Sequence, residues 1–150
     1  MLWSIGLEEE TMTTDPKVEL LRRVPLFGTC PHTDLQRIAA LADEIDVPAD
    51  KRIIAEGTTG QEFFIIIEGE VRVERGGAEL RTLGPGEFLG EIALVDDRPR
   101  SASAIVTKPS RLLVVGHREF HSLLDAYPSV QLQVLQALAS RIRAVQPQQD

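Results

Sequence analysis

The chain has 150 residues, of which 43% are hydrophobic and 26% are charged, and its formal net charge is -7 at pH 7. These values are typical of one globular domain, and the acidic charge argues against a generic surface for nucleic acid or for an anionic membrane. The single cysteine, Cys30, cannot form an intrachain disulfide, which fits a reducing compartment. We therefore expect a cytoplasmic protein, whose overall charge still allows one small anion in a local electropositive pocket.

The segment 1–14 is predicted to be a flexible lead-in to the domain. It has scattered apolar residues and an acidic run, and it lacks the basic start and long apolar centre of a signal peptide. No apolar run approaches the length of a membrane span. Whether Met1 or Met12 is the natural start is left open. We place the domain at 15–146 and a polar tail at 147–150.

Two helices are predicted before residue 44. Pro16 suits the first turn of a short helix that continues through Val18, Leu20 and Leu21. A second helix opens at Pro31, and its apolar residues are spaced for one buried face. Those residues are Leu35, Ile38, Ala39, Leu41 and Ala42.

From residue 44 to about residue 115 the pattern changes to short runs rich in branched side chains. Glycine and proline separate the runs. The runs are 45–47, 52–55, 63–67, 71–74, 80–83, 102–106 and 111–115. Short strands at regular spacing predict a mainly β fold, a sandwich or barrel of the jelly-roll type.

The helical period returns after Gly116. Phe120, Leu123 and Leu124 predict a short amphipathic helix that ends at Tyr127. A last helix is predicted from residue 129 to about residue 146, with one apolar stripe. The stripe contains Val134, Leu135, Leu138, Ile142 and Val145. We interpret it first as a face that packs on the sheet and second as a dimer interface.

The segment 90–102 combines the groups that a small anionic ribonucleotide requires. Arg100 can meet a phosphate with the planar fork of its guanidinium, and the backbone N–H groups of Ile92 and Ala93 can add donors at a helix start. Gly90 lets the backbone approach closely, and Glu91 can accept a hydrogen bond from a ribose hydroxyl. The structural alternative is an ion pair between Glu91 and Arg100 that braces a turn.

The segments 88–94 and 99–102 together resemble the phosphate-binding cassette of cyclic nucleotide-binding domains. Three glycine-punctuated segments, at 54–57, 64–71 and 83–87, resemble the β-roll of the same family. The resemblance extends from about residue 18 to residue 145. It implies an eight-stranded β-roll, jelly-roll-like, with flanking N-terminal and C-terminal helices and with cAMP or cGMP bound inside the roll.

The resemblance also implies roles for individual residues. Glu91 would contact the ribose, and Arg100 would contact the phosphate beside the backbone at Ile92 and Ala93. Ser101, which follows the arginine, leaves the choice between cAMP and cGMP open.

Other positions follow the family less closely. Val73 and Leu80 are placed to line the base and the sugar, and core packing is an equal alternative for both. Arg141 matches a position that approaches the phosphate in activator-like members. Leu89 stands where many cassettes carry an aromatic residue. The last helix is predicted to end near residue 146, so any part of the chain that covers the base is either short or supplied by a partner chain.

We therefore predict a stand-alone cyclic nucleotide-binding regulatory module that is not an enzyme and that signals through movement of its C-terminal helix. Its partner would be an effector protein or a second copy of the chain. The alternative is a degenerate fold that acts as an interaction module without ligand. A jelly-roll metalloenzyme would need histidines inside the barrel, whereas His32, His117 and His121 all lie in predicted helical segments, so we expect no metal and no cofactor. The end of the chain at Asp150 leaves no room for a helix-turn-helix, so we expect no DNA binding.

Overall fold

A computed structural model describes residues 16–94 and 99–145, and the predicted lead-in and tail lie outside these ranges. The described elements are listed here in chain order. They are α1 (Pro16–Arg22), α2 (His32–Ala39), β1 (Asp43–Val47), β2 (Arg52–Ile54), β3 (Glu62–Arg75), β4 (Ala78–Leu83), β5 (Phe88–Leu89), a 3-10 helix (Glu91–Leu94), β6 (Ser103–Gly116), α3 (His117–Ala126) and α4 (Pro128–Val145). The predicted mainly β fold with helices before and after the strands is confirmed.

The described strands form one antiparallel sheet of six strands, not the eight that the family resemblance implies. The path through the sheet is β1-β6-β3-β4, with β2 also paired to β6 and β5 also paired to β3. The count is lower because β3 joins the predicted runs 63–67 and 71–74, and β6 joins 102–106 and 111–115. The two long strands pair with each other along their whole length through several register shifts.

A bulge at Gly69 bends these two long strands. Gly69 has a φ of 108°, and the Ser110 side chain fills the space of a Cβ there, with Oγ 1.9 Å from the ideal Cβ position. The same hydroxyl accepts a hydrogen bond from the Glu70 N–H at 3.1 Å and donates one to the Lys108 carbonyl at 2.7 Å. A buried serine thus satisfies backbone groups that the bulge removes from the ladder.

The bulge also exchanges the two faces of β3. Before it, Phe64 and Ile66 point into the inside of the roll; after it, Val71 and Val73 do so. A single inserted residue has this effect because side chains alternate between faces with a period of two. The inner face of one strand therefore supplies a continuous apolar wall on both sides of the bend.

A second core lies between the outer face of the sheet and the helices. Phe27, Phe63 and Phe120 are fully buried there, and the ring centroid of Phe27 is 6.1 Å from that of Phe63 and 5.7 Å from that of Phe120. These spacings are in the range of favourable edge-to-face and tilted aromatic packing. The three rings connect the α1–α2 loop, β3 and α3 in one cluster.

The last helix, α4, places only part of its predicted stripe against this core. Val134 is buried and Leu138 is partly buried against the core, whereas Leu135 is 57% exposed and Leu132 is 54% exposed. Leu135 therefore does not belong to the packing face as predicted, because the contact turns with the 3.6-residue period and leaves it on the outer side. The side chains of Ile142 and Val145 lie outside what the structure describes.

Candidate functional site

A cavity of about 790 Å³ opens at the end of the roll where β5, the 3-10 helix and the start of β6 meet. Pockets for small ligands in proteins are typically about 300–1,000 Å³. Five residues predicted from the sequence line it: Val73, Gly90, Glu91, Arg100 and Ser101. The apolar wall comes from the inner core, including Ile54, Leu83, Leu89 and Ala104.

The turn that carries Gly90 and Glu91 is shaped by its strand pairing and by a glycine conformation. Strand β5 pairs with β3, so that Leu89 lies opposite Phe64. Gly90 then adopts a φ of 80°, and a Cβ there would lie 3.0 Å from the Glu62 carbonyl oxygen. This conformation directs the chain into the 3-10 helix, whose first residue, Glu91, is 9% exposed and lines the cavity.

The backbone of Ile92 and Ala93 lies in the same 3-10 helix. The sequence predicts the start of a short helix there, and the structure has a 3-10 helix at Glu91–Leu94. The side chains of both residues lie outside what the structure describes. The residue that follows, Leu94, is fully buried in the core between the sheet and the helices, which we call the outer core.

Arg100 is held at the cavity wall through its backbone and its side chain. Its N–H donates to the Thr58 carbonyl at 2.7 Å, and its carbonyl accepts from the Gly57 N–H at 2.8 Å. Its Nη2 donates to the Glu62 carbonyl oxygen at 2.5 Å. Burial lowers the pKa of the Arg100 guanidinium, and the Glu62 carboxylate partly offsets this, so the group remains a cation at neutral pH.

Two serines flank the cavity at the start of β6. Ser101 is exposed on the wall, and its carbonyl accepts a hydrogen bond from Arg75 Nε at 2.8 Å. Ser103 is nearly buried, and its hydroxyl accepts from the Glu56 N–H at 2.9 Å. The segment after Arg100 is therefore fixed to both β3 and the loop after β2.

The prediction for Leu80 is wrong, and Arg81 takes its place on the cavity wall. A two-residue hairpin at Gly76-Gly77 would pair Val73 with Leu80, but a bulge between Val73 and Glu74 pairs Val73 with Arg81 instead. The slip by one residue turns Leu80 outward, where it is 49% exposed. Sequence patterns do not mark this bulge.

Two other described residues line the cavity. Glu87 lies at the end of the segment 83–87, just before β5, and Pro25 lies in the loop after α1. Pro25 has no motif of its own, and only the three-dimensional fold brings it to the site. The side chain of Arg141, which the resemblance places near a phosphate, lies outside the described residues.

The described residues also bear on metal binding and on membrane insertion. Among residues 16–94 and 99–145, no three His, Cys, Asp or Glu side chains are arranged to hold a metal ion. His117 and His121 pack together at the start of α3, with ring centroids 4.3 Å apart. In the described part of the chain, no helix combines the length and the apolar character needed to cross a bilayer.

The family model of the cyclic nucleotide-binding domain matches residues 44–127. This range contains the whole described sheet except its first residue, Asp43. It also contains all described residues of the cavity wall except Pro25. The chain belongs to the cyclic nucleotide-binding domain family. The matched range covers more than half of the chain and includes Val73, Gly90, Glu91, Ile92, Ala93, Arg100 and Ser101, whereas Arg141 lies beyond it.

Two curated relatives illustrate what this domain is similar to. The chain is 37% identical over 101 residues to the cyclic AMP receptor protein of Thermus thermophilus, covering 64% of this chain and 47% of that protein. It is 34% identical over 106 residues to a cAMP-dependent protein kinase regulatory subunit of Aspergillus niger, covering 69% of this chain and 26% of the subunit. The chain thus spans about a quarter to a half of the length of these relatives.

A solved structure extends the similarity to almost the whole domain. The N-terminal domain of a transcriptional regulator from Streptomyces coelicolor superimposes with a TM-score of 0.81 at 28% identity. The alignment covers 87% of this chain and 95% of that structure. The similarity therefore includes helices outside the matched range 44–127 as well as the sheet.

Proposed function

We propose that this domain binds a cyclic nucleotide, cAMP or cGMP, in the 790 Å³ cavity and acts as a regulatory module without catalytic activity. The observation that carries the proposal is the placement of Glu91 and Arg100 on one wall of this cavity, next to Gly90. Curated relatives of the chain are named for cAMP, which agrees with this chemistry. The domain would sense a ligand and pass its occupancy to a partner.

Each lining group has a role that matches one part of the ligand. Arg100 would bind the phosphate with charge-assisted hydrogen bonds, and the backbone N–H groups of Ile92 and Ala93 would add neutral donors. The carboxylate of Glu91 would accept from the ribose 2′-hydroxyl. Val73 would contact the base, because it lies on the apolar wall of the cavity.

Isothermal titration calorimetry with cAMP and with cGMP tests the ligand assignment. The dialysed wild-type chain should bind at least one of them, and Arg100→Ala should weaken that binding by about thirty-fold to a few thousand-fold, because loss of one partner of a close charge pair costs about 2–5 kcal/mol. Arg118→Ala is the control, since Arg118 is an exposed arginine on α3 outside the cavity wall. Absence of heat with both nucleotides at millimolar concentration would reject the proposal.

We further infer that the ligand signal reaches the last helix, α4. Polar contacts attach the start of α4 to α2: the buried carboxylate of Asp34 accepts from Ser129 Oγ at 3.3 Å and from Arg37 Nη1 at 2.9 Å. The guanidinium of Arg37 in turn lies 4.0 Å from the ring centroid of Tyr127, the residue just before α4. A ligand with different affinity for two positions of α4 would shift the population between them.

Hydrogen exchange measured by mass spectrometry tests this inference. Saturating nucleotide should change the exchange rates of peptides from 128–145, in addition to those from the cavity wall. The same titration on Arg100→Ala, at nucleotide concentrations that leave it empty, is the control. Protection confined to the cavity wall at full occupancy would contradict the involvement of α4.

The partner of this module is proposed to be a second copy of the chain or an effector that covers the outer side of α4. Leu132 and Leu135 are more than half exposed there, and residues 128–140 contain no charged side chain. Helix surfaces that face water permanently are normally polar. Light scattering after size exclusion should show a concentration-dependent dimer that Leu135→Gln removes. A monomer at all concentrations leaves the effector as the proposed occupant.

A further inference from the structure

Gly60 is a buried residue that lies directly beneath the side chain of Arg100. A Cβ built on Gly60 would be 1.9 Å from Arg100 Nε, 2.3 Å from Cζ and 2.7 Å from Cδ. Heavy atoms that are not bonded to each other do not approach this closely. The Arg100 side chain therefore occupies the space that any other residue at position 60 would need.

The backbone at Gly60 gives no reason for a glycine. Six other described glycines have a positive φ, but Gly60 does not. A left-handed φ therefore does not explain the glycine. The three atoms nearest to a Cβ at this position all belong to Arg100, so the arginine side chain is the first obstacle to any larger residue.

A second glycine also lies close to the guanidinium. A Cβ on Gly90 would lie 2.6 Å from Arg100 Nη1. Nη2 of the same group donates to the Glu62 carbonyl oxygen. Gly60, Gly90 and the Glu62 carbonyl thus surround the Arg100 side chain closely, and we call these three groups the slot that holds the guanidinium at the wall of the large cavity.

Arg100 lines two cavities. One is the large cavity, and the other is a smaller cavity of about 110 Å³ that Gly60 also lines. If the guanidinium is displaced from the slot, it can move toward either space or outward. Its orientation at the large cavity is therefore determined by the walls of the slot.

We propose that Gly60 is a positioning residue, which keeps the guanidinium of Arg100 in the orientation that receives the phosphate. The inference rests on the proposed function, in which Arg100 binds the phosphate of a cyclic nucleotide. A methyl group at position 60 displaces the far end of a flexible side chain and leaves the sheet intact. The fold is retained, while the Glu62 hydrogen bond and the alignment toward the ligand are lost.

A double-mutant cycle separates this role from a general effect on packing. The four proteins are the wild type, Gly60→Ala, Arg100→Ala and the double variant. Gly84→Ala is the matched control, because Gly84 has no positive φ and its nearest non-neighbouring atom would be 3.9 Å from a Cβ. Gly90→Ala is unsuitable, since its φ of 80° would add backbone strain.

Calorimetry with cAMP and cGMP and thermal unfolding are measured on all of these proteins. Gly60→Ala should weaken nucleotide binding by roughly 10- to 100-fold, since a hydrogen bond to a charged group is lost or misdirected. It should also lower Tm by about 2–6 °C. In the Arg100→Ala background both effects should vanish, because the side chain that collides with the methyl group is absent.

Three results would overturn the proposal. If Gly60→Ala weakens binding or lowers Tm equally in both backgrounds, position 60 acts through general packing and not through Arg100. If Gly60→Ala binds nucleotide as the wild type does, the slot does not position the guanidinium. Wild-type protein that binds neither nucleotide would reject the proposed function and the positioning role together, and the thermal cycle would then still show whether the Gly60–Arg100 contact exists.

Discussion

Replacing Arg100 by lysine separates the charge of this side chain from its shape. Lysine keeps the positive charge but concentrates it in one ammonium group, whereas the guanidinium offers a rigid planar fork of N–H donors. In the structure one arm of the fork, Nη2, donates to the Glu62 carbonyl oxygen at 2.5 Å. This contact fixes the plane of the group, so that the remaining donors have a defined direction at the cavity wall.

The expected loss of nucleotide affinity in Arg100→Lys follows from the hydrogen bonds that lysine cannot make. A hydrogen bond that involves a charged group contributes about 1.5–3 kcal/mol, so loss of one such bond should weaken nucleotide binding roughly 10- to 150-fold. Arg100→Ala removes the charge as well and should weaken binding by up to a few thousand-fold. The expected order of affinity is wild type, then Arg100→Lys, then Arg100→Ala.

Calorimetry with the nucleotide that binds the wild type more tightly measures the three affinities, and circular dichroism confirms that the variants are folded. Two outcomes would refute the reasoning. A lysine variant as tight as the wild type would mean that only charge matters and that the fork held by Glu62 is irrelevant. A lysine variant as weak as the alanine variant would mean that the charge contributes nothing without the fork.

Three further predictions concern the ribose contact, the outer core and the buried thiol. Glu91→Gln should weaken binding of the ribonucleotide by about 3- to 10-fold and should reduce, without abolishing, the preference for the ribonucleotide over a 2′-deoxy analogue, as titration of both ligands will show, because the amide oxygen still accepts a weaker hydrogen bond. Phe120→Ala should lower the free energy of unfolding by about 3–5 kcal/mol in urea, since it removes a fully buried ring 5.7 Å from Phe27. Burial, together with the charge of Asp34, raises the pKa of the Cys30 thiol to about 11, because both disfavour the thiolate. Iodoacetamide should therefore label the folded chain much more slowly than the unfolded chain at pH 8, with the rate rising toward pH 11; rapid labelling of the folded chain at pH 8 would contradict this.

The sequence predicts the strands and helices well wherever local pattern determines them. The helix at Pro16–Arg22 contains the predicted proline, and α3 ends before Tyr127 as predicted. Whether two neighbouring runs form one strand is harder to predict. The runs 63–67 and 71–74, for example, continue as one strand through the bulge at Gly69. That bulge depends on a side chain 41 positions later in the chain, Ser110, which no local pattern connects to it.

The residues of the site also fall into two groups, those that a local motif predicts and those that depend on the three-dimensional fold. Gly90, Glu91, Arg100 and Ser101 lie within one segment, so their common motif predicts that they meet at one wall. Gly60 carries no such information in the sequence, because its importance lies in the absence of a side chain where Arg100 passes. Arg81 is missed for another reason, since an unpredicted bulge decides which face of β4 it occupies.

The proposed link between the cavity and the last helix gains a physical basis from one turn of 3-10 helix. Glu91 begins this turn at the cavity wall, and Leu94 ends it fully buried in the outer core, where the turn packs against α3. Complete burial of a leucine side chain contributes about 1.5–3 kcal/mol, which is similar to the difference in affinity by which a ligand shifts a two-state equilibrium. We propose that a nucleotide that draws Glu91 toward its ribose would act on Leu94, then on α3, and through Tyr127 on the start of α4. If this route operates, a variant that weakens ribose recognition should also weaken the effect of the nucleotide on the last helix.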